Sequence, residues 1–376
     1  MRSGLVYILA TLILVLQCNH NSSSKENSFH RCLSPHTAES KKDFNLTRTT
    51  LASRGAFYFW QVRAPLPGKQ ELRNFGVDTL YVRYFDVTAG KSGPRPVGIR
   101  KTVKTDAVVI PVVYITVSAL KGLNEKETEE LARNIWKLIQ KIGFTGPEIQ
   151  IDCDWTPSTR RTYFALLENI RKAMHSSPDL TLSATIRLHQ LKYYRRTGIP
   201  PVDRGAVMIY NMGDLSNPEE SNSIFRADLA KQYLDGKWLS EYPLPLDIAM
   251  PDFQWGVAFL NGSFHSLVHG ITEAQLQKNS RKSGSNNYSL EEEFMWDGQN
   301  LPAGTRIRME KVDVCERWQV LELIAGRLAD DPVKERRIIV FDYNSKKTES
   351  EIQELVDLFR ISGVHCNHES CIDGWK

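Results

Sequence analysis

Eight apolar runs rich in β-branched and aromatic residues alternate with helical patterns from Ala56 to Phe359. That alternation constrains the fold more than any other feature of the chain. The runs are Ala56–Arg63, Thr79–Val87, Ala107–Thr116, Glu148–Thr156, Leu180–Leu188, Ala206–Met212, Leu246–Phe259 and Arg337–Tyr343. A helix between two strands carries the chain back to the end it left, so successive strands pair in parallel. Eight such units over about 310 residues predict a (β/α)8 TIM barrel. An open doubly wound sheet is the alternative, and it is disfavoured because no Gly-rich turn follows the first run.

The helical segments carry their own signals. Asn124 is placed to cap a helix with Glu127 three residues on, Leu131, Ile135, Leu138, Ile139 and Ile142 line one face, and Gly143 stops it. Pro157-Ser158 opens a helix with Tyr163, Leu166, Leu167 and Ile170 on its apolar face. Further helices are expected over Glu219–Leu234, Val312–Leu328 and about Ser350–Phe359. Residues 260–307, rich in Gly, Asn, Ser and Lys, interrupt the rhythm and read as an insertion after the seventh strand. A hairpin or short helix is expected there at Thr272–Lys278.

The fourth run is chemically the most pointed. With the strand period of two, Ile149, Ile151, Cys153 and Trp155 face one way, and Gln150, Asp152, Asp154 and Thr156 the other. The β-carbons of Asp152 and Asp154 are then roughly 6–7 Å apart. Asp is a poor strand former and charge is costly to bury. The run is therefore either an edge strand with a solvated polar face or an inward acidic cluster at the carboxyl end of a barrel strand, where such folds keep their sites.

The net charge of +4 over 376 residues gives no electrostatic case for nucleic acid and does not force polyanion binding. The amino terminus suggests an address. Met1-Arg2-Ser3 precedes an apolar run from Leu5 to Leu16, too short to span a bilayer core of roughly 30 Å and suited to a signal peptide. It ends at Gln17-Cys18, which resembles a bacterial lipoprotein signal with Cys18 as the lipidated residue; a plain secretory signal is the alternative. The domain plan is a signal at 1–18, a polar tether at 19–50, a barrel at 51–362 and a Cys/His-containing tail at 363–376. Of six cysteines, Cys153 is expected to be buried, and Cys366 and Cys371 are close enough for a small disulfide loop. The His365–Cys371 cluster matches no zinc spacing.

Gly143-Phe144-Thr145-Gly146 leading into Ile151-Asp152-Cys153-Asp154-Trp155 resembles the fourth-strand signature of the chitinase and endo-N-acetylglucosaminidase barrels, which ends Asp-x-Asp-x-Glu. Met208-Ile209-Tyr210-Asn211 resembles that family's sixth-strand Met-x-Tyr-Asp, and Ala249-Met250-Pro251 its seventh-strand Pro. The chain as a whole is similar to an uncharacterised family of bacterial barrel lipoproteins. The resemblance implies a carbohydrate ligand, no cofactor, and a general-acid Glu preceded by an Asp that steadies the substrate's acetamido group. Here the Glu position is Thr156 and the sixth-strand Asp is Asn211. A threonine hydroxyl cannot protonate a leaving group at neutral pH.

Three chemistries stay open. In the first, another acid is recruited: Asp86, Asp252 and Asp342 lie near strand ends, and Asp152 and Asp154 repel each other. Asp154, Asp152 and Asp252 are the catalytic candidates on that reading. Alternatively the barrel binds a glycan without cutting it, through Trp60, Trp255, Tyr210, Tyr343, Asn211, Arg83, Asp86 and Asp342. Oxygen ligation of calcium or magnesium by the aspartates lacks a dedicated loop, so no metal is assigned. Arg187, if inward, would turn the acidic strand into an ion pair. The expected whole is an exported, lipid-anchored barrel of the cell envelope, with the glycan, the bond, the insertion's role and the oligomeric state left open.

Overall fold

The structure, a computed structural model, describes residues 53–328 and 336–361. Its strands in chain order are β1 (Ser53–Phe59), β2 (Thr79–Gly90), β3 (Gly93–Val97), β4 (Val108–Ile115), β5 (Glu148–Asp152), β6 (Thr181–Arg187), β7 (Arg204–Met208) and β8 (Leu246–Pro251). These are followed by β9 (Gln254–Leu260), β10 (Ser263–His269), β11 (Ser280–Lys282), β12 (Asn287–Leu290), β13 (Phe294–Trp296), β14 (Gln299–Leu301), β15 (Arg306–Lys311) and β16 (Arg336–Phe341). Hydrogen-bonded neighbours run β1–β2–β4–β5–β6–β7–β8–β16 and back to β1, all parallel. The ring is a (β/α)8 barrel. β3 folds back antiparallel on the end of β2. Cys18, expected as a lipidation site, and the expected signal, tether and Cys366–Cys371 loop lie outside the described residues.

The helices form where the sequence signals them. In Glu125–Ile142, Asn124 accepts from the Glu127 amide and Glu127 accepts from the Asn124 amide, each at 2.9 Å. This reciprocal cap satisfies two otherwise orphaned N–H groups. Gly143 ends the helix at φ 82°, a conformation that disfavours a β-carbon. The helix expected over Glu219–Leu234 begins only at Ala227. Short polar side chains hold 214–225 in turns instead: Asp214 accepts from the Ser216 amide, Asn217 from Glu219 and Asn222 from Ile224.

Strand alternation decides what fills the barrel. Outward residues such as Val113, Ile151, Ile186, Val207 and Ile248 pack under the helices in one core. Inward residues alternate with them and form layers. At the amino-terminal end, Glu148 accepts from Ser183 Oγ (2.5 Å) and Arg337 Nη1 (2.5 Å), and Arg337 also meets Tyr81 and Asp247. Asp247 further pairs with Arg204. Above them Tyr58 donates to Gln150 (2.7 Å) among Ala56, Ile110, Val112, Ala206, Ala249 and Ile339. Removing one member of such a buried charged network costs about 3–5 kcal/mol, because its partner is left unpaired.

The insertion is larger and more ordered than its composition suggests. It starts at Gln254 rather than near residue 260, because the seventh barrel strand ends at Pro251, whose ring removes a ladder donor. β10–β9–β15–β12–β11 form an antiparallel sheet, and β13–β14 a separate hairpin. The expected short helix is present at Glu273–Gln277, capped by Thr272. β9 faces both ways: Trp255, Val257 and Phe259 join the barrel core, while Ala258 joins a second core with Val268, Ile271, Tyr288 and Ile307. A buried Arg308–Glu310 pair at 2.7 Å anchors the sheet, and Glu310 also accepts from Trp255 Nε1 and Ser223 Oγ. Among the described residues no helix is long and apolar enough to cross a membrane.

Candidate functional site at the mouth of the barrel

The carboxyl ends of β5, β6 and β7 bring the acidic strand, one arginine and one tyrosine together. Asp152 and Asp154 both point inward, so the fourth run is a barrel strand with an acidic inner face rather than a solvated edge. Asp152 is buried and accepts from Thr185 Oγ1 at 2.6 Å. Asp154 lies above it in a bidentate pair with Arg187, Nε to Oδ1 at 2.5 Å and Nη2 to Oδ2 at 2.8 Å. Parallel N–H bonds of this kind are the strong form of the ion pair. Burial, then the Asp154 charge, raises the Asp152 carboxyl to about 6, against the opposing pull of Thr185 and Arg187. The Arg187 guanidinium is held protonated by its bonds and charge contact with Asp154, which outweigh its own burial.

Around this pair stands an aromatic wall. Tyr210 stacks on Phe341 at 5.4 Å and meets Phe253 edge-on at 6.2 Å. Trp60 packs on Phe341 at 5.4 Å and on Tyr58 at 6.2 Å. Burial pushes the Tyr210 and Tyr114 hydroxyls up, and the Asp152 and Asp154 charges add to it, so both remain donors at neutral pH. Asn211, at φ 53°, turns the chain away from β7 and donates its amide to Ile224 O at 2.7 Å. A small pocket of ≈ 90 Å³ opens between Arg187, His189, Met208, Tyr210, Asn211 and Tyr233.

Arg83 and Asp86 reach the same mouth by a device invisible to simple alternation. Residues three apart on a regular strand face opposite sides. The register of β2 against β4 shifts between Arg83 and Phe85, so Tyr84 and Phe85 both face the helices and Arg83 and Asp86 both face inward. The extra residue is a β-bulge. Arg83 Nε then bonds Asp86 at 2.7 Å, and the guanidinium lies 5.4 Å over Trp60.

Other expected residues are elsewhere or otherwise engaged. Asp252 sits on the helix side of the rim, paired with Arg317 (3.1 Å) and Lys347 (2.5 Å). Asp342 is beside it; burial, then the Asp252 charge, raises it to about 6 despite Lys347. Trp255 is not in the mouth: it is buried in the insertion's first strand, bonded to Glu310. Tyr343 also points away, donating to Glu71 at 2.5 Å and packing with Phe57, Phe59 and Phe75. Thr156 does not reach over the mouth; its hydroxyl bonds Ser158 (2.9 Å) and Thr159 (3.1 Å) at the turn into Arg160–Ala173. Tyr114, Thr185 and His189 belong to the site and were not singled out, although the parity of their strands places Tyr114 and Thr185 inward. Among the described residues no group of three or more His, Cys, Asp or Glu is arranged to hold a metal ion.

No family model and no curated protein matches the chain. Solved structures similar to it include the spore cortex-lytic enzyme SleL of Bacillus cereus (14% identity, TM-score 0.49, 81% of this chain and 74% of that one). SleL of Bacillus megaterium matches at 13% identity and TM-score 0.48 over 82% and 73%. A GH113 β-1,4-mannanase matches at 10% identity and TM-score 0.41 over 82% and 98%. Likeness at this distance carries nothing about activity.

The Asp152 carboxyl gives a pH-dependent test. Its folded pKa of about 6 exceeds the ordinary value of 3.8, so the folded state holds the proton more tightly than the unfolded chain. The corresponding stability is complete below the ordinary value and is lost as pH rises through 6. At 1.36 kcal/mol per unit the loss is on the order of 3 kcal/mol. Asp152→Asn keeps the acceptor for Thr185 and removes the charge. Urea unfolding should show its stability relative to the parent growing between pH 4 and about 7. A difference independent of pH would contradict this placement of Asp152.

Proposed function

We propose that this chain is an exported, lipid-anchored barrel that binds a carbohydrate across the carboxyl-terminal mouth and does not hydrolyse it. One observation carries the reading: both positions at which the resemblance would place the hydrolytic machinery are committed elsewhere. Asp154 gives both oxygens to Arg187, and the general-acid position, Thr156, spends its hydroxyl on the next turn. A bidentate arginine–carboxylate pair is a poor nucleophile and a poor proton donor.

What remains suits recognition. Trp60 and Phe341 offer aromatic surface for the apolar face of a sugar ring. Tyr210, Tyr114, the Arg83–Asp86 pair and the Asp154–Arg187 pair offer donors and acceptors to its hydroxyls. The ≈ 90 Å³ pocket is well below the about 300–1,000 Å³ of an enclosing site, so the ring rests across the mouth and inserts only one polar edge.

A hydrolase is the second reading, favoured by the Asp152 carboxyl being held partly protonated near neutral pH. Its position argues against it: Asp152 is 5% exposed, beneath the Asp154–Arg187 pair.

Calorimetry with mixed neutral and charged oligosaccharides tests the site. The parent should bind at least one class, and Trp60→Ala should weaken it roughly tenfold, about 1.4 kcal/mol. Absence of binding to any oligosaccharide would sink the carbohydrate reading. The anchor is checked separately: Cys18→Ser should move the chain from the membrane fraction to the soluble fraction, and equal partitioning of the two would remove the lipid anchor.

A further inference from the structure

We propose that a second cleft, on the flank of the barrel beside the mouth, is a subsite for an anionic sugar unit. It would take the carboxylate-, sulfate- or phosphate-bearing part of the glycan whose neighbouring unit lies across the mouth. The inference rests on the carbohydrate reading and narrows its ligand class.

The cleft has a volume of ≈ 360 Å³ and is lined by Lys192, Tyr193, Tyr194, Arg195, Arg196 and Trp238, with Glu241 as its acid. That volume lies at the lower end of small-molecule sites, about 300–1,000 Å³. Three cations therefore face one carboxylate. Among the described residues no carboxylate lies within ion-pair distance of Lys192, Arg195 or Arg196, whereas Arg83 and Arg187 at the mouth each have one. Lys192 Nζ donates to Gln232 O at 2.8 Å, and aromatic rings flank all three cations. Lys192 Nζ lies 5.5 Å from the centres of Tyr233 and Trp238 and 5.6 Å from Tyr193. Arg196 lies 5.0 Å over Tyr193, and Arg195 lies 5.8 Å over Tyr194. A guanidinium stacked on a ring keeps its N–H edge for bidentate anion binding. Rings beside cations match a sugar with an apolar face and a charged substituent.

The cleft is joined to the mouth. Tyr233 lines the mouth pocket and is also one of the rings around Lys192. The cleft's loop is fastened to the acidic strand's end by Trp155 Nε1 donating to Thr197 O (3.1 Å) and Gln190 Nε2 donating to Trp155 O (3.1 Å). Arg160 Nη1 holds the Arg196 carbonyl at 2.8 Å. A concave basic site of this size on a chain of net charge +4 suits a small anionic unit better than a nucleic acid or a flat membrane surface.

The test is calorimetry on the full chain with a uronic acid oligomer, a sulfated oligosaccharide, a phosphorylated one and a neutral oligosaccharide, plus inorganic phosphate and sulfate alone. Two variants are compared: Arg195→Gln/Arg196→Gln in the cleft, and Lys137→Gln/Lys141→Gln, which removes the same charge from exposed positions of the helix Glu125–Ile142. At least one charged oligomer should bind roughly tenfold more tightly than the neutral one at low salt, and the cleft variant should lose that advantage. The helix variant should retain it, and neutral binding should be unchanged in both. Equal loss in the two variants would reduce the effect to net charge and overturn the subsite. Equal affinity for charged and neutral oligomers, both weakened by Trp60→Ala, would overturn the subsite and leave the mouth reading standing. Inorganic anions binding as tightly as the charged oligomer would overturn the sugar assignment. No oligosaccharide binding at all would remove both readings together.

Discussion

A strand that turns polar side chains into a barrel must find them partners, and β5 with the residues just after it does so for Glu148, Gln150, Asp152 and Asp154. Burying an unpaired carboxylate costs far more than one side chain's packing returns. Strands around the barrel supply the partners in ascending layers: Arg337 of β16 and Ser183 of β6 for Glu148, Tyr58 of β1 for Gln150, and Thr185 and Arg187 of β6 for Asp152 and Asp154. The strand register that satisfies β5 therefore also sets which side chains of β1, β6 and β16 face inward. A slip of one residue would expose the whole set to the wrong face.

The same requirement separates stability from chemistry along the barrel axis. The lower layer is closed and joined by several charged bonds, as suits a structural base. Toward the mouth the pairing becomes less complete: Asp152 takes one hydroxyl and its carboxyl is pushed up to about 6, and Tyr210 and Tyr114 keep their protons. The upper pair is satisfied within the protein, by Arg187 and Asp154 themselves. A site with its strongest charges already neutralised favours selective hydrogen bonding to a neutral ring over proton transfer. Among the described residues, Lys192, Arg195 and Arg196, with no carboxylate at ion-pair distance, lie outside the mouth, in the flanking cleft.

The barrel was readable because its signals are periodic. Eight runs, a capping box at Asn124–Glu127 and a glycine stop at Gly143 each state their structure locally. A period of two put Gln150, Asp152 and Asp154 on one face but left it open between a solvated edge and the barrel interior, with Arg187, if inward, as a residue able to neutralise it. What escaped depends on departures from regularity. Arg83 and Asp86 share a face because of a bulge that no residue type announces. Tyr343 faces outward because β16 ends at Phe341, so parity counted from Arg337 no longer applies. Trp255 belongs to a new sheet that starts three residues after Pro251, within what reads as one apolar run. Residues 219–226 carry helical composition, but side-chain bonds from Asp214, Asn217 and Asn222 favour turns.

The central claim is that the mouth recognises a carbohydrate and leaves its bonds intact. The most direct measurement is mass spectrometry of a bound oligosaccharide after long incubation with the parent protein in heavy-oxygen water. Hydrolysis would place the label in a new reducing end. The account predicts only full-length oligosaccharide, labelled at its own reducing end no faster than in a protein-free control, in a sample whose binding is verified by calorimetry. A labelled shorter product that disappears with Asp152→Asn would contradict it and make the buried carboxyl a working acid.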